Sequence, residues 1–85
     1  MSVKLIYFAW VRERIGKSDE TLELPADVRT VADLLTFLRT QGDGYEAALQ
    51  APAVIRVALD QQHAQHGAPI TGAREIALFP PMTGG

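Results

Sequence analysis

The sequence predicts an α+β fold, in which one main helix covers one face of a β-sheet in a single small domain. Four strand-like segments and one strongly periodic helical segment follow one another in the order strand, strand, helix, strand, strand. The chain has 85 residues, which is enough for one domain with a thin core. It contains no cysteine, so the fold must depend on packing, without disulfides or thiolate-bound metals.

The first part of the chain predicts an antiparallel pair of strands. Residues from Val3 to Val11 are β-branched and aromatic on both alternating faces, which favours a central strand. A break at Gly16 follows, and Thr21 to Leu24 then alternate between polar and apolar residues, as a half-exposed strand does. Pro25 ends this second strand, because proline cannot donate a backbone hydrogen bond.

The main helix has the clearest signal in the sequence. Thr30 and Asp33 have the spacing of a helix N-terminal capping box. Apolar residues then recur with the i, i+3, i+4, i+7 spacing of an amphipathic helix. These residues are Val31, Leu34, Leu35 and Leu38. Gly42 is predicted to end the helix.

The second half of the chain predicts a short helix and two further strands. The short helix is expected around Tyr45 to Leu49, and Pro52 closes it. Val54 to Leu59 form the third predicted strand, Asp60 to Gln62 a turn, and Glu75 to Phe79 the last strand.

One face of this sheet has no predicted cover. The main helix hides the opposite face, and no second large helix is available for the face that includes some of Lys4, Ile6, Phe8 and Trp10 or their neighbours. An exposed apolar face on a small protein usually binds a partner. We therefore expect this face to be a protein-binding surface.

Composition and charge argue against several function classes. The net charge is −2 and the eight Lys and Arg residues are scattered, so nucleic-acid binding is not expected. Arg14 fits ordinary surface charge, whereas Arg12 fits either surface charge or a contact to an acidic partner. The longest uncharged apolar run, Leu5 to Val11, is far shorter than the about 20 residues of a membrane span, and no signal peptide is recognisable. We therefore expect no membrane association and a cytoplasmic location.

Candidate catalytic side chains are few. His63 and His66 are three residues apart but lie in a predicted loop with few carboxylates nearby, so no metal site is expected. Asp19, Glu20 and Glu23 fit a solvated strand edge better than paired catalytic carboxylates. The sequence has no nucleophile elbow and no phosphate-binding glycine motif. A self-contained active site is therefore not predicted.

The C-terminal segment is the remaining candidate for chemistry. Residues 1–79 are predicted to form the globular domain, and residues 80–85 a flexible tail that can span about 20 Å. Its two prolines stiffen the base. Gly84 and Gly85 make its end thin enough for a narrow channel, where the terminal carboxylate would be presented. The alternative is a frayed terminus without function.

Three segments together resemble a known family. They are Val3 to Ala9 leading into Val11-Arg12-Glu13, Thr30-Val31, and Ile76 to Gly85, which ends in Phe-Pro-Pro-Met-Thr-Gly-Gly. Through these segments the whole chain resembles the small subunit of molybdopterin synthase, the sulfur carrier of molybdenum-cofactor biosynthesis. The resemblance implies the ubiquitin-like β-grasp fold, a mixed sheet with the first and last strands side by side at its centre and the tail leaving one end.

The resemblance also implies a chemical function for the tail. An E1-like adenylating enzyme would use ATP to convert the Gly85 carboxylate to an acyl-adenylate, and sulfur from a sulfur donor protein would displace AMP and leave a thiocarboxylate. The tail would then enter the large, catalytic subunit of a heterotetrameric synthase, where the sulfur passes to cyclic pyranopterin monophosphate to build the molybdopterin dithiolene. The chain itself would bind no cofactor and would be a non-catalytic carrier subunit.

The same resemblance implies roles for individual residues. Gly85 would carry the sulfur, and Gly84 would give it access. The positions implied to contact a partner are Phe8, Phe79, Pro80, Pro81, Met82 and Thr83. His63 stands where an apolar interface residue is expected, and Trp10 is bulkier than the usual residue at its position.

Alternative functions remain open at this point. The same fold and terminal chemistry could serve thiamine or thionucleoside synthesis, although thiamine-type carriers are shorter and usually lack the Phe-Pro-Pro segment. An activated Gly-Gly end could also acylate lysines, as in ubiquitin-like protein modification. From another class, the chain could be an inert β-grasp binding module with an incidental tail.

Overall fold

The computed structural model describes residues 2–81 and contains one mixed five-stranded sheet within them. The elements are β1 (Ser2–Tyr7), α1 (Ala9–Ile15), β2 (Asp19–Glu23), α2 (Val31–Leu38), α3 (Asp43–Ala48), a 3-10 turn (Pro52–Val54), β3 (Arg56–Leu59), β4 (Gln62–Ala64) and β5 (Glu75–Phe79). The strand order is β2-β1-β5-β3-β4. This architecture confirms the predicted α+β class.

The first and last strands lie side by side at the centre of the sheet. β1 and β5 are parallel, with a register that runs from Lys4 opposite Glu75 to Tyr7 opposite Leu78. The outer neighbours β2 and β3 pair antiparallel to β1 and β5, respectively. Both the predicted central pair and the predicted antiparallel β1–β2 pair are therefore confirmed.

The core lies between the sheet and α2. The Thr30 hydroxyl accepts a hydrogen bond from the Asp33 N–H, and the Asp33 carboxylate accepts one from the Thr30 N–H, each at 3.1 Å. These reciprocal bonds form the predicted capping box and fix the start of α2. All four apolar residues that were predicted to line one side of this helix are buried, with 1% exposure or less. They pack against the sheet residues that alternate inward, including Val3, Leu5 and Ile76.

The first strand is shorter than predicted. It ends at Tyr7, after which the chain turns through Ala9 (φ +53°) into α1. The physical reason is burial: in the helix, Val11 is completely buried in the core and Ile15, four residues later, packs against it. This i, i+4 spacing was a helical signal within the predicted strand.

The end of the main helix also differs from the prediction. α2 ends at Leu38, and Gly42 instead precedes α3. The N–H groups of Thr40 and Gln41 donate to carbonyls three residues earlier, at 3.0 Å each. Such i→i−3 bonds tighten the last turn and satisfy carbonyls at the helix end before the glycine is reached. The predicted short helix is confirmed as α3, and Leu49 is buried directly after it.

The remaining elements combine confirmed and corrected predictions. The third strand begins at Arg56, because Pro52 starts a 3-10 turn that includes Val54. The turn after β3 is confirmed, with positive φ at Asp60 (48°) and Gln61 (72°). It leads into β4, a short strand in a region that was predicted as turn and loop. The last strand has the predicted bounds. None of the helices within residues 2–81 is long and apolar enough to cross a membrane.

Candidate partner-binding surface

The base of the C-terminal tail lies at one edge of the sheet. Because β1 and β5 are parallel, their carboxyl ends meet at this edge, where Phe8 follows β1 and Pro80 follows β5. The Phe8 N–H donates to the Leu78 carbonyl at 3.1 Å and fixes the two ends together. The predicted site residues Met82, Thr83, Gly84 and Gly85 lie outside the described residues.

Three ring side chains form an aromatic cluster at this edge, consisting of Phe8, His63 and Phe79. The centroids of Phe8 and Phe79 are 6.4 Å apart, and those of His63 and Phe79 are 5.5 Å apart, both in edge-to-face geometry. Phe8 is 48% exposed and is one of two large hydrophobic side chains exposed among residues 2–81. The structure therefore brings two predicted interface residues together with His63.

The aromatic cluster continues into the open face of the sheet, on which none of the helices described between residues 2 and 81 packs. At its centre, Ile6 and Ala58 flank Ala77 in register. Lys4 and Arg56 are exposed at positions beside this centre. The residues that alternate with these point into the core, so the predicted uncovered face is confirmed. It is apolar in the middle and charged around it.

Trp10 does not belong to the open face. It lies on α1, where it is partly buried against the core. The Arg14 guanidinium carbon lies 4.3 Å from the centre of its ring, which is a cation–π contact. Arg14 is therefore more than ordinary surface charge, because it covers one side of the tryptophan. The placement of Trp10 on the sheet was wrong for the same reason as the length of β1.

A hydrogen-bonded network supports the end of β1, just before Phe8. The Glu20 carboxylate accepts bonds from the hydroxyls of Tyr7 (2.7 Å) and Tyr45 (2.6 Å) and from the Lys17 ammonium group (3.1 Å). This network connects β1, β2 and α3. The interpretation of Glu20 as part of a solvated edge is therefore wrong, because its side chain turns toward the tyrosines.

The network also determines the charge states of its members. Burial by itself raises the pKa of Glu20, but the hydrogen bonds from Tyr45, Tyr7 and Lys17 together outweigh it and hold the pKa below its usual value. Burial, followed by the bond to Glu20, raises the pKa of Tyr7 far above its ordinary value. Glu20 is therefore ionised and Tyr7 protonated at neutral pH, so the Tyr7 hydroxyl donates the hydrogen bond and the Glu20 carboxylate accepts it.

Helix α1 lies very close to α3. A Cβ atom on Gly44 would lie 2.6 Å from the Arg14 carbonyl oxygen and 3.4 Å from the Ile15 Cα and carbonyl oxygen. The two helices can be this close only because residue 44 has no side chain. Together with the Glu20 network, this contact holds the segment that carries Phe8.

A groove of about 710 Å³ lies beside the aromatic cluster. Residues 53–57, His63 to His66 and Pro81 line it. His66 Nε2 lies 2.8 Å from the Ile55 carbonyl oxygen, which joins the two sides of the groove. The sequence did not predict this groove, because Val54 was read as part of a strand. Its three segments meet only in the folded sheet, so no pattern within one segment of the sequence indicates it.

The histidines do not form a metal centre with other described residues. Within residues 2–81, no group of three or more His, Asp or Glu side chains could hold a metal ion. One histidine packs on Phe79, and the ring nitrogen of the other is bonded to a backbone carbonyl.

The geometry defines a class of protein, and the comparisons identify its family. A central parallel pair formed by the first and last strands, with a helix packed across one face, is the ubiquitin-like β-grasp fold. The family model described as the ThiS family matches residues 5–85. The chain belongs to this family.

Similar proteins cover the whole chain. The molybdopterin synthase sulfur carrier subunit of Escherichia coli K12 is 37% identical over 83 residues, covering 98% of this chain and 99% of the relative. Among solved structures, SAMP1 of Haloferax volcanii is 28% identical with a TM-score of 0.72, and each chain is covered completely.

A further structural neighbour was solved as a complex. The molybdopterin-converting factor of Helicobacter pylori 26695, a complex of its subunits 1 and 2, contains a chain with a TM-score of 0.63 and 19% identity, again with complete coverage of both chains. At this identity the likeness concerns the fold alone. The β-grasp fold implied by the sequence is thus confirmed.

Proposed function

We propose that the chain is the sulfur-carrier subunit of a molybdopterin synthase and that its C-terminal Gly85 carries the sulfur. The observation that carries this proposal is the full-length similarity to a relative named molybdopterin synthase sulfur carrier subunit. A sulfur-carrier subunit needs a catalytic partner, and we propose a large subunit for that role. The H. pylori chain of the same fold was solved in complex with a second subunit of its converting factor.

The geometry around the tail supports this function. β5 is held between two neighbouring strands, so its end is a firm base for the segment that follows. Pro80 and Pro81 have fixed φ angles and favour an extended chain. The aromatic cluster of Phe8, His63 and Phe79 lies at this base and offers a docking surface. The body of the protein would dock, and the tail would reach the catalytic site of the partner.

The proposed chemistry uses the terminal carboxylate alone. In an E1-like enzyme, a Gly85 carboxylate oxygen would attack the α-phosphorus of ATP and release pyrophosphate, giving an acyl-adenylate. Sulfur at the sulfide level, delivered as hydrosulfide by a sulfur donor protein, would then attack the acyl carbon, form the C–S bond and displace AMP, which leaves a thiocarboxylate. Its sulfur would form a C–S bond to a carbon of the pterin precursor bound by the large subunit, and an oxygen leaving group would depart from that carbon. Water would then cleave the acyl C–S bond, which leaves the sulfur on the pterin and returns the carboxylate of Gly85. The chain would thus act as a nucleophile carrier and would bind no cofactor of its own.

Intact mass spectrometry tests the proposal. The chain, incubated with the activating enzyme, ATP and the sulfur donor of its own cell, is expected to gain about 16 Da from the exchange of one oxygen for sulfur. Fragmentation should locate this change at Gly85. A terminus that stays an unmodified carboxylate while the activating enzyme loads its other substrates contradicts the proposal.

A second candidate is protein modification. The similarity to the H. volcanii protein favours it, because that protein is named small archaeal modifier protein 1. Here the same acyl-adenylate would acylate a lysine side chain in place of a sulfur donor. Digestion of proteins isolated from the native cell distinguishes the two functions. Lysines that carry the C-terminal peptide of this chain support conjugation. A free thiocarboxylate at the C-terminus of this chain supports sulfur transfer.

A further inference from the structure

The groove beside the aromatic cluster has an unbalanced charge. Its lining includes one charged side chain, the Arg56 guanidinium, and no carboxylate side chain. Arg56 is exposed and forms no salt bridge with any residue from 2 to 81. The chain as a whole has a net charge of −2, so this cationic lining is a local feature. Such a surface attracts carboxylates.

The groove also presents an apolar contact. Val54 is 45% exposed and is, with Phe8, one of two exposed large hydrophobic side chains among residues 2–81. It lies in the lining together with Ala53 and Pro81. The volume of about 710 Å³ is within the range of roughly 300–1,000 Å³ that ligand-binding clefts occupy. The site therefore combines an aliphatic contact with donors for carboxylates.

The position of the groove indicates what occupies it. Pro81 lines the groove, and four residues follow it in the sequence. At about 3.3–3.6 Å per residue, Gly85 is at most about 14 Å from Pro81. Any protein that holds Gly85 must therefore pass close to the groove. His63 belongs both to the groove and to the aromatic cluster, so the two surfaces are continuous.

We propose that the groove binds an extended acidic segment, with at least one aliphatic side chain, of the protein that receives the tail. Arg56 would hold a carboxylate of this segment in a two-pronged hydrogen bond, and Val54 would contact the aliphatic side chain. The assignment of this segment to a protein that receives the tail rests on the proposed function. The recognition itself does not depend on Gly85.

An NMR titration with a defined peptide tests this proposal. The probe is acetyl-Asp-Glu-Leu-Glu-Asp-amide, added to the ¹⁵N-labelled full chain, and the comparison peptide replaces the four acidic residues with lysine. The acidic peptide is expected to shift the amide signals of residues 53–57 and 63–66, with an affinity that falls as salt is raised. No shifts, or equal shifts with the lysine peptide, would overturn the proposal.

Two variants and a matched control locate the binding. Arg56→Gln is expected to weaken the acidic peptide about threefold to tenfold. The control Arg74→Gln makes the same charge change on an exposed arginine before β5, at the other end of that strand, and should change affinity by less than about twofold. Val54→Asp, at an exposed position, should abolish binding. Unchanged binding by both groove variants overturns the proposal.

A truncated chain separates this proposal from the proposed function. The chain that ends at Thr83 lacks the carrier terminus and should bind the acidic peptide as the full chain does. If the full chain forms the thiocarboxylate at Gly85 but does not bind the peptide, the groove proposal is wrong and the carrier function stands. If the full chain binds the peptide but forms no thiocarboxylate at Gly85, the carrier function is wrong and the groove proposal stands.

Discussion

Replacing Gly44 with alanine is expected to destabilise the chain, although alanine is the better helix former. The new Cβ would lie 2.6 Å from the Arg14 carbonyl oxygen, where an ordinary contact begins near 3.4 Å, so α1 and α3 must separate by about 0.8 Å. Overpacking of this kind costs about 1–3 kcal/mol. The gain in helix propensity returns at most about 1 kcal/mol. The expected net loss is about 1–2 kcal/mol.

Thermal and urea unfolding measure this loss. For a domain of this size, each kcal/mol corresponds to a change of about 4–8 °C in Tm, so a decrease of about 5–15 °C is expected. Gly67→Ala is the matched control, because a Cβ there would meet nothing within 4 Å. It should leave Tm unchanged or raise it slightly. Equal stabilities of the two variants would refute the close approach of α1 and α3.

Three further predictions concern other parts of the structure. Glu20→Gln should lower the unfolding free energy by about 1 kcal/mol at pH 7. Because the folded-state pKa of Glu20 is lowered, this stabilisation is present above the ordinary carboxyl pKa of about 4.3 and is lost as the pH falls through the folded-state value; the difference between the two proteins in urea unfolding should therefore be smaller at pH 3 than at pH 7. Thr30→Ala should cost about 1 kcal/mol by removing the cap of α2, whereas Thr30→Ser should retain most of it, and a loss equal for both would contradict the capping role. Phe79→Ala should weaken binding to the large subunit by at least about 30-fold in calorimetry, as expected for a central aromatic contact of at least about 2 kcal/mol, whereas Phe37→Ala, on α2, should not alter the affinity of the folded chain.

The sequence was sufficient to predict the elements whose local signals agree with their packing. The capping box and the apolar stripe of α2 correspond directly to the observed helix, and Glu75 to Phe79 form β5 with the predicted bounds. The open face of the sheet was predicted because the sequence contains one large helix, which can cover only one face. Phe8 and Phe79 were placed on a common surface by resemblance, and the structure brings their rings together.

The features that were not predicted depend on contacts between distant segments. Val11 looked like a strand residue, because its helical partner Ile15 lies beyond the apolar run that suggested a strand. Glu20 has the pattern of an exposed strand residue, but its acceptor capacity is used by tyrosines 13 and 25 residues away. The groove is formed by three chain segments that come together only in the folded sheet. Single-segment patterns contain no signal for such arrangements.

The most direct test of the carrier function is a single-turnover assay with a chain extended by one alanine after Gly85. The extension leaves the domain of residues 2–79 unchanged but replaces the terminal glycine carboxylate with a peptide bond. With the activating enzyme, ATP, the sulfur donor and the large subunit present, the extended chain is expected to form no thiocarboxylate and to transfer no sulfur, while its Tm equals that of the natural chain. Sulfur transfer at the natural rate by the extended chain would contradict the assignment of Gly85 as the reacting group.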